Sequence, residues 1–189
     1  EMAILGGTMG KIARDVSLLM QPEVGEASEP AAAGRGGSSS LPHKRNPAGS
    51  LLALEAAQRA PGLAATLLAQ LAPEHERGLG QWQSQWFTLR ELACAVASGT
   101  AAMAEVLEGL QVDTAAMRRN LERTAGLVFS EAVAVRLARA LGKSAAHQLT
   151  EKLCAQALRE GETLLAVLRA DAEAARGVPG RELAGLFGA

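Results

Sequence analysis

The sequence has no tyrosine, two tryptophans and three phenylalanines, so aromatics make up only 3% of its 189 residues. It has two cysteines, Cys94 and Cys154, and its 19 basic residues are nearly matched by 20 acidic ones. That balance argues against a broadly basic face for nucleic acid, so any positive site must be local. Two cysteines in helical patterns, without metal-ligand spacing, argue against a disulfide framework and a metal site. The expectation is buried free thiols in a reducing compartment. No apolar run is long enough to span a bilayer, and the first residues lack the layout of a signal peptide. A soluble, cytoplasmic protein is expected.

What is abundant is helix-forming. Alanine, leucine, glutamate and arginine recur, and 48% hydrophobic content is ample for a core. Met2, Leu5, Met9, Ile12, Val16 and Leu19 alternate in steps of three and four, the seam of a helix packed lengthwise, ending near Gln21-Pro22. The pair Gly6-Gly7 weakens that helix unless a neighbour packs closely. Residues 22–37 carry no periodicity and many breakers. A second helix starts at Pro47 and runs through Leu51, Leu54, Gln58, Ala65 and Leu68, apolar on most sides and so expected to be buried, with a kink at Pro61-Gly62. After a short loop, Trp82, Trp86, Leu89, Ala93, Val96, Thr100, Met103, Leu107 and Leu110 mark a third long helix.

Beyond Gly109 the helices shorten. Asp113 is placed to cap 114–123, Ser130 to cap 131–141 ending at Gly142, and Ser144 to cap 145–160 ending at Gly161; further helices cover 162–175 and 181–187. The fold class expected is therefore all-α. Residues 1–110 form part of a long-helix bundle containing the loop 22–47, and residues 111–189 form a small all-helical domain. The chain opens on Glu1, inside a periodic helix without a cap. The expectation is a C-terminal piece of a longer protein, inactive alone.

The chemistry concentrates in Gly36–Pro47, where a glycine-serine run meets Lys44, Arg45 and Asn46. A glycine-rich loop bares backbone N–H groups that stabilise an oxyanion, on substrate or on a serine alkoxide. Lys44 adds positive charge and Asn46 directed donors. The group suits a carboxylate, above all one gaining negative charge as an α-proton leaves. Taken residue by residue, the plainer reading is a flexible linker running into a basic helix start.

The stretch Gly37-Ser38-Ser39-Ser40-Leu41-Pro42-His43-Lys44-Arg45-Asn46-Pro47 resembles the Gly-Ser-Ser-x-Met-Pro-x-Lys-x-Asn-Pro signature of the fumarase/aspartase superfamily, with Leu41 in place of methionine. The resemblance implies an almost entirely helical, cofactor-free and metal-free homotetramer, with active sites shared between subunits. It implies that Ser38 is the acid/base on carbon and that Lys44 and Asn46 hold a substrate carboxylate, with Ser39, Arg45 and Arg77 as further contacts. The family's catalytic histidine would lie upstream of Glu1.

Leu51 occupies the position where fumarases and adenylosuccinate lyases carry a glutamate. The run His75-Glu76-Arg77-Gly78-Leu79-Gly80-Gln81-Trp82, with Trp86 beyond, lacks the polar stretch that would hold a nucleotide phosphate. These features, with Ala60-Pro61-Gly62 and the neighbourhood of His147, resemble the bacterial 3-carboxy-cis,cis-muconate cycloisomerase branch, over nearly the whole chain. The implied partner is a small, multiply charged carboxylate, with no nucleic acid and no membrane. An adenylosuccinate-type lyase, or a non-catalytic helical assembly of the same fold, are the alternatives. Trp82 and Trp86 read first as core packing. His43 and His75 read as solvated or supporting groups, and His147 as structural.

Overall fold

Small residues decide how the first helices meet. In the computed structural model, which describes all residues except 32, 33, 42, 180, 181, 183, 184, 188 and 189, α1 (Met2–Leu19), α2 (Ala48–Leu68) and α3 (Gln81–Glu108) pack pairwise into a bundle. Gly6 lies against Ala60 and Val96, and Gly99 against Ala53 and Ala56. At Gly10 the helices are so close that a Cβ would stand 2.3 Å from that of Ala57. Ala13, Val16, Ala53, Met103 and Val106 fill the core beside this contact.

This close approach moves part of each buried stripe off the seam expected from large residues, although Val16, Val96 and Met103 of those seams are buried. On α1 the buried positions are Gly6, Gly10, Ala13 and Val16, while Met2 and Leu5 are 40% and 45% exposed. On α3 they include Leu92, Val96, Gly99, Met103 and Val106, so Trp86, Leu89 and Leu107 of the expected seam face outward. Helix α2 is not buried on all sides, because Ala53, Ala56 and Ala60 take the inner face while Leu51 and Leu68 stay exposed. It continues as one helix through Pro61. The expected close packing holds at Gly6 but not at Gly7, which has open space around it.

Between α1 and α2 the chain is not wholly irregular. Strand β1 (Ala27–Ser28) pairs antiparallel with β2 (Gln111–Val112), Ala27 opposite Val112 and Ser28 opposite Gln111. Two residues per strand carry no readable alternation, so the sequence pattern missed them. The pairing ties the loop to the chain leaving α3.

The chain divides into two compact units, Glu1–Thr114 and Ala115–Ala189. The second is built from α4 (Thr114–Glu122), a single 3-10 turn at Leu127–Phe129, α5 (Ser130–Leu141), α6 (Lys143–Glu160), α7 (Leu164–Ala170) and α8 (Ala172–Gly177). Val133, Leu137, Leu149, Leu153, Leu164 and Leu168 form its core. Gly142 and Gly161, both at positive φ, end α5 and α6 as expected.

The expected serine caps differ. Ser130 and Ser144 lie inside their helices, and neither helix has a side-chain cap. The helix expected over 162–175 is two helices. Thr163 caps α7, and Asp171 accepts the Glu173 and Ala174 amides at 2.9 Å to start α8. Residues 181, 183 and 184 of the expected turn at 181–187 lie outside the described residues.

Candidate active site

The start of α2 lacks a local cap. Pro47 occupies the N-cap position and has no side chain that accepts a hydrogen bond. The carboxylate of Glu29 supplies the missing acceptor from 20 residues upstream. Its Oε2 accepts the Gly49 amide at 2.8 Å, and its Oε1 accepts the Ser50 amide at 2.8 Å and the Ser50 hydroxyl at 2.7 Å. Glu29 is 7% exposed and Ser50 fully buried. A carboxylate at a helix N-terminus is favoured by both the free amides and the helix dipole.

Arg35 completes this base. It pairs with Glu105 on α3. The hydrogen bond to Glu105 holds its guanidinium charged beyond the ordinary range, burial pulls the other way, and the charges of Glu105 and Glu29 add to the rise. Ten residues separate the ends of the loop's neck. The Gly36 carbonyl accepts the Asn46 backbone N–H at 2.7 Å and its side-chain amide at 3.3 Å. Gly36 has φ +70°, and a Cβ there would meet the Asn46 carbonyl oxygen at 2.6 Å, so only glycine fits.

Inside the neck the chain turns tightly around Ser38. Its Oγ accepts the backbone N–H of Leu41 at 3.2 Å and that of Ser40 at 3.4 Å. Two peptide dipoles therefore aim at the one atom that would carry negative charge as an alkoxide. Ser38 is half-buried, whereas Ser39, Lys44, Arg45 and Asn46 are exposed. A hollow of about 200 Å³ beside the neck is lined by Lys44, Arg45, Asn46, Arg35, Glu29 and Met20, among others. That is smaller than the roughly 300–1,000 Å³ of a complete small-molecule site. Three cations around one hollow favour an anion, and the amides at Ser38 favour proton transfer beside it.

Arg77 does not join this group. It lies in the α2–α3 connection, at the opposite end of α2 from the loop, and a 21-residue helix puts about 30 Å between the two. Its guanidinium lies 4.7 Å over the Trp82 ring, and Trp82 meets Trp86 edge to face at 4.7 Å. Trp86 is 55% exposed, so this pair is a surface ladder rather than core. Cys94, expected to be buried, is also exposed, because it sits on the outward side of α3. Among the described residues no group of three histidine, cysteine or acidic side chains is placed to hold a metal.

Glu29 and Arg35 were not singled out by the sequence pattern. The usable signal was indirect: a long helix beginning on proline needs an acceptor from elsewhere, and Glu29 is the last of three glutamates, after Glu23 and Glu26, in the loop before it.

A family model described as Lyase matches residues 2–62, which include this whole loop, and one described as Adenylosuccinate lyase C-terminus matches residues 126–189. The 3-carboxy-cis,cis-muconate cycloisomerase of Pseudomonas aeruginosa is 51% identical over 182 residues, covering 96% of this chain and 40% of its own length. The chain belongs to the fumarase/aspartase superfamily. Another relative in that superfamily, the 3-carboxy-cis,cis-muconate cycloisomerase of Pseudomonas putida, is 49% identical over 183 residues, covering 96% of this chain and 43% of its own. The crystal structure of 3-carboxy-cis,cis-muconate lactonizing enzyme from Pseudomonas putida superposes with a TM-score of 0.84 at 43% identity, over 98% of this chain and 41% of that one. The chain thus spans about two fifths of the length of these superfamily relatives.

Proposed function

We propose that this chain carries the acid/base loop of a lactonising 3-carboxy-cis,cis-muconate cycloisomerase, a cofactor-free intramolecular lyase of aromatic catabolism. The observation that carries the reading is Ser38 Oγ receiving the Ser40 and Leu41 amides beside a hollow lined by Lys44, Arg45 and Arg35. Relatives bearing that name at about half identity supply the substrate class.

In the closing direction, a carboxylate oxygen of the muconate adds to a carbon–carbon double bond. The C–O bond forms, and the π electrons move onto the conjugated carboxylate, giving an enediolate with an extra negative charge. Lys44 and Asn46 hold that carboxylate, with Ser39 and Arg45 beside it. Ser38 then donates its hydroxyl proton to the α-carbon, leaving an alkoxide that the Ser40 and Leu41 amides stabilise. A serine hydroxyl is a weak acid and its alkoxide a strong base, so those dipoles are what make the transfer feasible in either direction. In reverse, the alkoxide takes the α-proton and the lactone C–O bond breaks.

Residues 1–110, with the loop 22–47, serve in this reading as part of a central bundle, and residues 111–189 as a C-terminal domain. The enzyme works as a cytoplasmic homotetramer with sites shared between copies. Arg77, too far from Ser38 in its own chain, would then serve a neighbour's site. Support for assembly comes from the large side chains left outward on α2 and α3, including Leu51 and Phe87. Two free cysteines fit a reducing compartment.

The test is ultraviolet assay of the full-length enzyme on 3-carboxy-cis,cis-muconate. The expected result is lactone formation, reduced roughly 100- to 10,000-fold by Ser38→Ala, the usual range for a general acid–base group. Unchanged turnover in Ser38→Ala would remove Ser38 from the chemistry.

A further inference from the structure

We propose that Glu29 is the positioning residue of this loop: by capping α2 it sets where Asn46, Gly36 and hence Ser38 stand, and it keeps the substrate carboxylate off the helix terminus. The inference deepens the functional reading above and rests on it for the catalytic consequence, but its structural part stands independently.

A continuous set of bonds carries the placement. Glu29 fixes the Gly49 and Ser50 amides. One residue earlier, the Ala48 amide donates to the Asn46 carbonyl at 2.9 Å. Asn46 in turn holds the Gly36 carbonyl through its backbone and side-chain amides. Ser38 is two residues beyond Gly36. No side chain at Pro47 backs up this arrangement, so a shift of the α2 terminus passes directly into the neck.

The second part concerns charge. A helix N-terminus with free amides attracts carboxylates, and this one lies at the wall of the hollow in which a substrate carboxylate would sit, since Glu29 itself lines that wall. With Glu29 seated on the Gly49 and Ser50 amides, that competing position is filled. The cations left to receive an anion are those on the loop. Glu29 is itself countered by Arg35, whose guanidinium is near enough for Glu29 to strengthen its positive state.

Glu29→Gln is the informative change, because it keeps size while replacing one acceptor oxygen by an NH2 that confronts a backbone donor. Ser50→Ala removes only the hydroxyl bond and leaves both amides capped. Hydrogen exchange followed by mass spectrometry is the first readout. Amides in residues 36–50 are expected to exchange at least tenfold faster in Glu29→Gln, with α1 and α3 unchanged, and less than threefold faster in Ser50→Ala. Unchanged exchange in Glu29→Gln overturns the placement role, whatever the enzyme's substrate.

The second readout is turnover of 3-carboxy-cis,cis-muconate by the full-length enzyme. Glu29→Gln is expected to lower kcat at least tenfold at equal folded fraction, while Ser50→Ala stays within threefold of the parent. A kcat that falls only in proportion to folded protein overturns the catalytic part. Absence of turnover in the parent enzyme sinks the substrate assignment and leaves the exchange result to decide Glu29.

Discussion

Gly36 and Asn46 clasp one another across the loop, the glycine carbonyl taking both the backbone and the side-chain N–H of the asparagine at 2.7 and 3.3 Å. The contact makes a neck out of residues that sequence alone assigned to flexibility and to substrate binding. The Asn46 side chain therefore has a structural bond in addition to its assigned carboxylate contact.

Gly36→Ala tests the neck. A left-handed conformation costs alanine about 1–2 kcal/mol, and the added Cβ would stand 2.6 Å from the Asn46 carbonyl oxygen. Backbone cannot yield at that distance without opening the clasp. Faster hydrogen exchange across residues 36–47 is expected, with only a modest drop in melting temperature and a loss of turnover exceeding tenfold. A variant that keeps parental exchange and activity would show that the neck is dispensable.

A paired substitution on α1 separates helix propensity from packing. Gly10→Ala would drive a methyl to 2.3 Å from the Ala57 Cβ, whereas around Gly7 there is open space. Overpacking should destabilise Gly10→Ala by about 1–3 kcal/mol. Gly7→Ala should stabilise by up to about 1 kcal/mol, because alanine favours the helix. Urea denaturation curves of the two variants should move in opposite directions; equal shifts would mean that α1 is not held against α2 at Gly10.

These two glycines also show what was legible in the sequence. The helices and their approximate ends could be read because periodicity and breakers are local signals. The buried faces could be read only in part: Val16, Val96 and Met103 of the expected seams are buried, but the pattern weighs large apolar side chains, and close approach of backbones also put glycine and alanine inside. Gly10, Ala13, Ala53 and Gly99 take the places expected for Leu5, Leu51 and Leu89. The grouping of the loop motif was legible to this extent: Lys44, Arg45 and Asn46 line one hollow. Its support was not: Glu29 and Arg35 act across 20 or more residues, on Gly49, Ser50 and Glu105. Such pairings depend on where the chain returns, which no window of neighbouring residues contains.

The two thiols should differ in reactivity. Cys94 is exposed, while burial pushes the Cys154 thiol above its ordinary range and leaves less thiolate at any given pH. The attacking species in alkylation is the thiolate, so raising the pH from 7 to 9 should label Cys94 first and Cys154 later. In dissociated chains, peptide mapping after brief maleimide treatment should find Cys94 modified at least tenfold more than Cys154, and the difference should shrink where another copy covers the groove that Cys94 lines. Equal labelling would place Cys154 at the surface.

The outward side of α2 and α3 supports the last prediction. Leu52 and Phe87 are 45% and 73% exposed. They line one groove together with Arg90 and Cys94, and Arg59, paired with both Glu55 and Glu91, lies in the same groove. An apolar strip rimmed by charges is a usual surface for association. If copies of the enzyme assemble through it, lysine at either apolar position would bury an unpaired charge and weaken the contact. Leu52→Lys and Phe87→Lys should each lower the sedimenting mass of the full-length enzyme at micromolar concentration, with helical content by circular dichroism unchanged because both side chains already face outward. Loss of turnover should follow the loss of mass if, as proposed, Arg77 serves a neighbour's site, since the length of α2, about 30 Å, lies between the connection that holds Arg77 and the loop that holds Ser38. A variant that sediments as a smaller species yet keeps parental turnover would show that each copy works alone and would remove Arg77 from the site.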